Sequence, residues 1–279
     1  MSEALKLVTF LNLIFVIMLM LAGSIESVLS DAVYYLAFIL PIAIGFYASR
    51  GLQLKREKIA GVAEEPDRLF ELKRDSVFWF LPLAAPAVAL VFSVSMLTSL
   101  LLSLAGVSSP AVESEGIVKM LLVHAVAPAL FEEALFRYIP MKLLMPYSKR
   151  MCVFYSAFCF ALIHCSFSKM PYAFLAGVIF MLADVALGSV WPSVILHFIN
   201  NTASVIWIKY CDSMTASWIY IGVLLAAVLI SLPFIFKRRR EYMGMLRCSL
   251  TKGAKFEASY APAALILICF YIAAANIFA

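Results

Sequence analysis

The chain has 279 residues, of which 64% are hydrophobic and 14% are charged. Soluble domains usually contain about a quarter charged residues, so this composition excludes an ordinary soluble protein and indicates a membrane protein. The net charge of +5 does not call for a nucleic-acid partner, because the distribution of the basic residues is explained more simply by membrane orientation.

Long apolar stretches account for most of the chain. A membrane-spanning helix needs about 20 consecutive, mainly apolar residues. We therefore predict an all-α, polytopic transmembrane bundle of about eight or nine spans, which forms one integral membrane domain over residues 1–279. Within it, residues 116–209 form the predicted functional core, and residues 1–105 and 217–279 form peripheral helices. The nine apolar stretches lie near residues 7–23, 28–48, 77–105, 116–139, 151–168, 172–188, 191–209, 217–236 and 261–278.

Lys and Arg residues gather in alternate connecting segments. This pattern is expected when the loops that remain in the cytoplasm retain positive charge. With the N-terminus inside, 18 of the 22 basic residues fall in cytoplasmic segments, whereas the reverse orientation would place these residues outside. We predict a cytoplasmic N-terminus, cytoplasmic basic loops and membrane lipid as the surrounding partner.

The fourth apolar stretch contains Glu132, Glu133 and Arg137. An ionisable residue near the bilayer centre costs about 3 kcal/mol, so it indicates a function or a buried pair. On a helix Glu133 and Arg137 can form an ion pair, which leaves Glu132, about 100° round the helix, to face another group. Pro128 cannot donate to the carbonyl of His124, so we expect the helix to kink or open beside Glu132. Alternatively, both acids serve only to neutralise Arg137.

Three further stretches contain isolated polar residues. His164 is late in the fifth stretch, and Asp184, in the sixth, is interpreted as the partner of a polar neighbour. In the seventh, His197 and Asn201 are four residues apart and project from one helix face. Two donors on one wall is the arrangement that holds an oxyanion. The other interpretation for these histidines and Asn201 is hydrogen bonding between helices.

Taken together, the motifs are more specific than any one of them. The order Glu-Glu-x-x-x-Arg, Phe-x-x-x-His and His-x-x-x-Asn, between residues 131 and 201, resembles the CPBP family of intramembrane proteases. That family includes the CAAX prenyl endopeptidases and bacterial proteins formerly grouped as abortive-infection proteins. The resemblance implies a protease core at 116–209 and the following residue roles. Glu132 and His164 would activate water, His197 and Asn201 would stabilise the oxyanion, and Glu133 and Arg137 would support the site.

The resemblance leaves the metal open. Glu132, His164 and His197 could hold zinc with a water molecule in the fourth position. We nevertheless favour no cofactor, because a His-Glu-x-x-His motif is absent and the asparagine of the third motif is a poor zinc ligand. One shared site also requires the three side chains to lie at the same depth in the membrane. By residue count, His164 lies about 20 Å above the basic loop at Lys149, whereas Glu132 and His197 are nearer the cytoplasmic side.

The implied substrate is a membrane-associated peptide or protein, and a CAAX-type prenylated protein is one possibility. No nucleic-acid partner is expected. The rival hypothesis is a non-catalytic membrane protein, such as a transporter or an immunity-type protein, that uses the same buried polar residues for binding or for a proton relay.

Overall fold

A computed structural model describes residues 2–23, 28–60, 69–71, 74–106, 116–164 and 166–250, together with 267, 268 and 271. The secondary structure of these residues is helical, with no strand among them, which confirms the all-α prediction. Most of the predicted ninth span, 261–278, lies outside the described residues.

Eleven α-helices and two π-helical segments follow one another in the described part of the chain. Five of these elements, from Ile117 to Leu144, join without a break into one long helix, here called the broken helix. The elements are α1 (Ser2–Gly23), α2 (Val28–Ala60), α3 (Arg74–Leu104), α4 (Ile117–Leu121), π1 (Leu122–Val126), α5 (Ala127–Glu133), π2 (Ala134–Tyr138), α6 (Ile139–Leu144), α7 (Lys149–Leu162), α8 (Met170–Leu187), α9 (Trp191–Tyr210), α10 (Met214–Lys237) and α11 (Arg239–Ser249).

Five described helices are long and apolar enough to cross a membrane, judged by length and composition. They lie in α1, α2, α3, α8 and α10. The other predicted spans correspond to the broken helix, to α7 with only 14 residues, and to α9, which carries several polar side chains. Large apolar side chains on α10, such as Val223 and Leu229, are about two-thirds exposed, as expected for a helix surface that faces lipid. The protein is an integral membrane helix bundle.

Helices α7 and α8 approach each other closely because Gly177 has no side chain. A Cβ atom added at Gly177 would lie 2.9 Å from the Cα atom of Ala157 and 3.3 Å from the Phe160 ring. Small residues at such crossings let helix backbones pack against each other in membranes. This contact fixes the position of Phe160, which lies beside the polar residues of the core.

The start of α9 is fixed by a buried carboxylate. The side chain of Asp184 is fully buried, and its Oδ1 atom accepts a 2.8 Å hydrogen bond from the backbone N–H of Ser193 in the first turn of α9. The first backbone N–H groups of a helix have no partner within the helix, so this contact satisfies one of them. The polar neighbour expected for Asp184 is thus the backbone of the helix that carries His197 and Asn201.

Candidate active site

The broken helix is irregular on both sides of the motif glutamates. Pro128 lies in the first turn of α5, directly after π1, and π2 begins directly after Glu133. Each π-helical segment replaces the usual four-residue spacing of backbone hydrogen bonds by five, and such segments are frequent at functional sites. The irregularity expected beside Pro128 is therefore present as π1, and a second π-helical segment, π2, follows α5.

Asn201 attaches α9 to the first of these irregular segments. Its Nδ2 atom donates a 2.9 Å hydrogen bond to the carbonyl of His124, and its Oδ1 atom accepts a 3.3 Å hydrogen bond from Asn200. The carbonyl of His124 is the one that Pro128 cannot serve, because proline has no N–H. Asn201 therefore supplies a donor to a carbonyl that proline leaves without its regular helical partner.

Glu133 connects the first motif to the third. One carboxylate oxygen, Oε2, lies 3.1 Å from the Arg137 Nε atom, which confirms the predicted ion pair. The other, Oε1, accepts a 2.6 Å hydrogen bond from Nδ1 of His197. The side chains of Glu133 and Arg137 are fully buried. The sequence contains no signal for the bond to His197, because no local spacing relates residues on separate helices.

Glu132 lies on the other side of His197. Its Oε2 atom is 3.9 Å from Nε2 of the histidine ring, and 14% of its side chain is exposed. This distance is too long for a hydrogen bond, so the Glu132 carboxylate is not held by His197 as Glu133 is. The two adjacent glutamates therefore differ: one is locked in a buried network, and the other faces the free nitrogen of the same imidazole.

Arg137 is enclosed by aromatic rings. Its guanidinium carbon lies 4.4 Å from the ring centroid of Phe160 and 5.8 Å from that of Phe180, within the range of cation–π attraction. The Phe180 ring in turn lies 5.5 Å from the His197 ring. A charged side chain in an apolar core needs such partners, and here they also border the histidine of the third motif.

His164 lies in the turn that follows α7, since the helix ends at Leu162. Its placement within a membrane helix was therefore wrong. The His164 Nδ1 atom is 2.9 Å from the carbonyl oxygen of Phe160, and because a carbonyl only accepts, Nδ1 carries the proton and Nε2 is left unprotonated in the neutral ring. The Phe160 ring lies 5.2 Å from the His164 ring and 5.6 Å from the His197 ring. One phenylalanine thus contacts both histidines and brings His164 near the ring of His197.

The zinc hypothesis can be compared with this geometry. Among the described residues, no group of three or more His, Cys, Asp or Glu side chains is placed to hold a metal ion. The Nδ1 atom of His197 is occupied by Glu133, and that of His164 by a backbone carbonyl. Each ring therefore keeps Nε2 as its possible metal ligand, but Glu132, His164 and His197 are not grouped to hold zinc in this arrangement.

The structure brings Glu132, Glu133, Arg137 and His197 into one cluster. It connects His164 to this cluster through Phe160 and connects Asn201 to π1. Residues 114–203, which include all six motif residues, match the family model described as type II CAAX prenyl endopeptidase, Rce1-like. The resemblance to the CPBP family is confirmed. No curated protein and no solved structure matches the chain.

The Rce1-like match covers the segment that contains the broken helix, α7, α8 and the first part of α9. The flanking helices lie outside it. The match to this family supports a protease function, and the apolar helices described above are those of a membrane protein. Both therefore support a peptidase embedded in the membrane.

Proposed function

We propose that this protein is an intramembrane endopeptidase that hydrolyses a peptide bond of a membrane-associated protein or peptide with water activated by Glu132. The observation that supports this function best is the position of His197 between two glutamates. Glu133 bonds to one ring nitrogen at 2.6 Å, while Glu132 faces the other at 3.9 Å. The Rce1-like match provides independent support for the reaction class.

Glu132 is proposed as the general base. Its carboxylate forms no hydrogen bond with other described residues, so its oxygens are available to take a proton from water as the water attacks the peptide carbonyl. His164 would orient that water through its Nε2 atom, which is an acceptor when Nδ1 donates to the carbonyl of Phe160. After the attack, the proton held by Glu132 would pass to the departing amine.

His197 and Asn201 are proposed as the oxyanion donors. Glu133 holds the Nδ1 side of His197, so protonation of Nε2 would give the ring a second donor, directed away from Glu133. Asn201 uses one N–H of its amide for the carbonyl of His124, and an amide NH₂ group has a second. Loss of one oxyanion donor typically lowers the rate about 100- to 1000-fold.

The proposed reaction uses no resident metal. This proposal is supported by the arrangement of the described residues, which place no group of three or more His, Cys, Asp or Glu side chains to hold a metal ion. We expect the purified protein to keep its peptidase activity after exhaustive treatment with a chelator. If chelation abolishes activity and added zinc restores it, the metal-free proposal is wrong.

The decisive experiment compares the wild type with Glu132→Ala and His197→Ala in native membranes. We expect peptide products, detected by mass spectrometry, from the wild type and from the matched control Glu241→Ala, because Glu241 is exposed on α11, outside the residues of the candidate site. The two site variants should produce none. Equal products from all four proteins would instead favour the non-catalytic membrane protein.

The substrate and orientation are part of the proposal. A CAAX-type prenylated C-terminus is the substrate suggested by the Rce1-like resemblance, and it would enter from the cytoplasmic side, where the basic loops are predicted. A matched pair of CAAX peptides, prenylated and unmodified, tests the first point. Protease accessibility of an N-terminal tag in sealed vesicles tests the second. Cleavage of only the unmodified peptide would exclude the prenylated class.

A further inference from the structure

Helix α11 begins where a membrane span ends. It follows the 24-residue apolar helix α10, from which only Arg238 separates it. The segment from Lys237 to Arg247 contains five basic residues and one acidic residue. Such a cationic helix next to a span lies at the depth of the lipid headgroups.

One side of α11 is fixed to the bundle. The Tyr242 hydroxyl donates a 2.6 Å hydrogen bond to the carbonyl of Trp79, and the Arg238 guanidinium lies 4.5 Å from the Trp79 ring centroid. Near the other end of α11, Cys248 Sγ is 3.6 Å from Nζ of Lys149. Trp79 begins the apolar part of α3 and Lys149 begins α7. Helix α11 therefore lies across helix ends on one side of the bundle.

The opposite side of α11 is exposed and has a mixed character. Its residues border an open, shallow cleft, and a Cβ atom added at Gly244 would meet no atom within 4 Å. Met243 is 50% exposed between the arginines. Arg239 also donates to the carbonyl of Phe236, at 2.9 Å. The residues that border the cleft are Arg239, Arg240, Met243, Gly244 and Arg247.

We infer that this exposed face of α11 binds the anionic headgroup of a phospholipid. The guanidinium groups of Arg240 and Arg247 suit a phosphate group, with which arginine forms paired hydrogen bonds. Exposed Met243 and Leu246 would contact the upper part of the acyl chains, as the apolar side chains of an interfacial helix do. A soluble acidic peptide would use the charges but would leave these apolar side chains in water, so the face fits a lipid better. The inference does not depend on the proposed peptidase activity.

The test uses the full-length protein in a neutral detergent, titrated with phosphatidylglycerol or phosphatidylcholine, with bound lipid measured by native mass spectrometry. We expect the wild type to prefer phosphatidylglycerol, and the double variant Arg240→Gln/Arg247→Gln to bind it about tenfold more weakly or worse, since each basic residue near a membrane surface attracts anionic lipid measurably. The control Arg50→Gln/Arg150→Gln removes the same charge from exposed positions elsewhere and should bind phosphatidylglycerol as the wild type does.

A second variant tests whether the shape of the cleft, and not only its charge, contributes to lipid binding. Gly244→Leu leaves every charge in place but adds a bulky side chain between the arginines, so we expect it to weaken phosphatidylglycerol binding as well, with thermal unfolding unchanged. Three results would overturn the inference: undiminished binding in Arg240→Gln/Arg247→Gln, an equal loss in the Arg50→Gln/Arg150→Gln control, or displacement of the lipid by soluble glycerol phosphate or an acidic peptide at comparable concentration.

Discussion

The side-chain amide of Asn201 donates to the carbonyl oxygen of His124, at 2.9 Å. In a regular helix this carbonyl would accept from the residue four positions later, which is Pro128 and has no N–H. Helix α9 therefore satisfies a backbone group in the irregular part of the broken helix, about two turns before the motif glutamates. This contact relates the third motif to the first through the backbone, in addition to the bond between His197 and Glu133.

Asn201 is therefore predicted to have two separable effects. Asn201→Ala should lower the free energy of unfolding by about 1 kcal/mol, because the carbonyl of His124 loses its side-chain donor, and should lower peptidase activity at least 100-fold if the second N–H serves the oxyanion. Adding Pro128→Ala provides a backbone N–H for that carbonyl. The double variant should then recover stability in detergent but not activity.

The control for this experiment is Asn200→Ala, which removes only the 3.3 Å contact to Oδ1 of Asn201. It should lower the free energy of unfolding and the peptidase activity less than Asn201→Ala does. Recovery of activity together with stability in Pro128→Ala/Asn201→Ala would show that Asn201 acts only through the helix backbone. Failure to recover stability would contradict the role assigned to Pro128.

Glu132 is predicted to be important for the reaction but not for the fold. Glu132→Gln should lower kcat by about 100- to 10,000-fold, the usual contribution of a general base, without a measurable change in Tm. The reason is that its carboxylate forms no hydrogen bond with the described residues and lies 3.9 Å from Nε2 of His197. Activity assays with matched thermal unfolding, using Glu241→Gln as the exposed control, measure both quantities. A large decrease in Tm for Glu132→Gln would indicate a structural carboxylate instead.

The Glu133–Arg137 pair, unlike Glu132, is predicted to be important for the stability of the fold. Both side chains are fully buried, and removal of one partner leaves an uncompensated buried charge, which typically costs about 3–5 kcal/mol. Glu133→Ala and Arg137→Ala should each destabilise the protein strongly, and the double variant should lose much less than the sum of the two. Denaturant unfolding of all four proteins in detergent gives the coupling energy. Additive losses would mean that the pair does not act as a unit.

The sequence predicted contacts within one helix better than contacts between helices. The ion pair of Glu133 and Arg137 follows from their four-residue spacing, and the irregular backbone at π1 follows from Pro128. The bond between Glu133 and His197 joins residues 64 positions apart, and the packing of α9 against the broken helix determines it. No local pattern contains that information.

Two further features of the site had no signal in the residue types. Asn201 was expected to face the reaction, yet one of its hydrogens goes to a backbone carbonyl, and every residue offers such an acceptor. His164 was expected inside a helix because the apolar stretch continues beyond it, whereas α7 ends at Leu162. Hydropathy measures the apolar length of a segment, and the end of a helix depends on backbone hydrogen bonding, so the two need not coincide.

The contact between α7 and α8 gives a last prediction, because it positions Phe160 against both histidines and Arg137. In Gly177→Ala, the new methyl group would lie 2.9 Å from backbone of Ala157, so the helices must separate and carry the phenylalanine with them. We expect a lower Tm and a reduced kcat together, since over-packing of a tight core typically costs about 1–3 kcal/mol.

The matched control for Gly177→Ala is Gly222→Ala in α10. An added Cβ atom at Gly222 meets nothing within 4 Å, and alanine is the better helix former by about 1 kcal/mol in soluble helices. This variant should keep the wild-type kcat with an unchanged or raised Tm, measured in the same detergent. A Gly177→Ala protein that matches the control in both quantities would show that the close approach of α7 and α8 does not position the site.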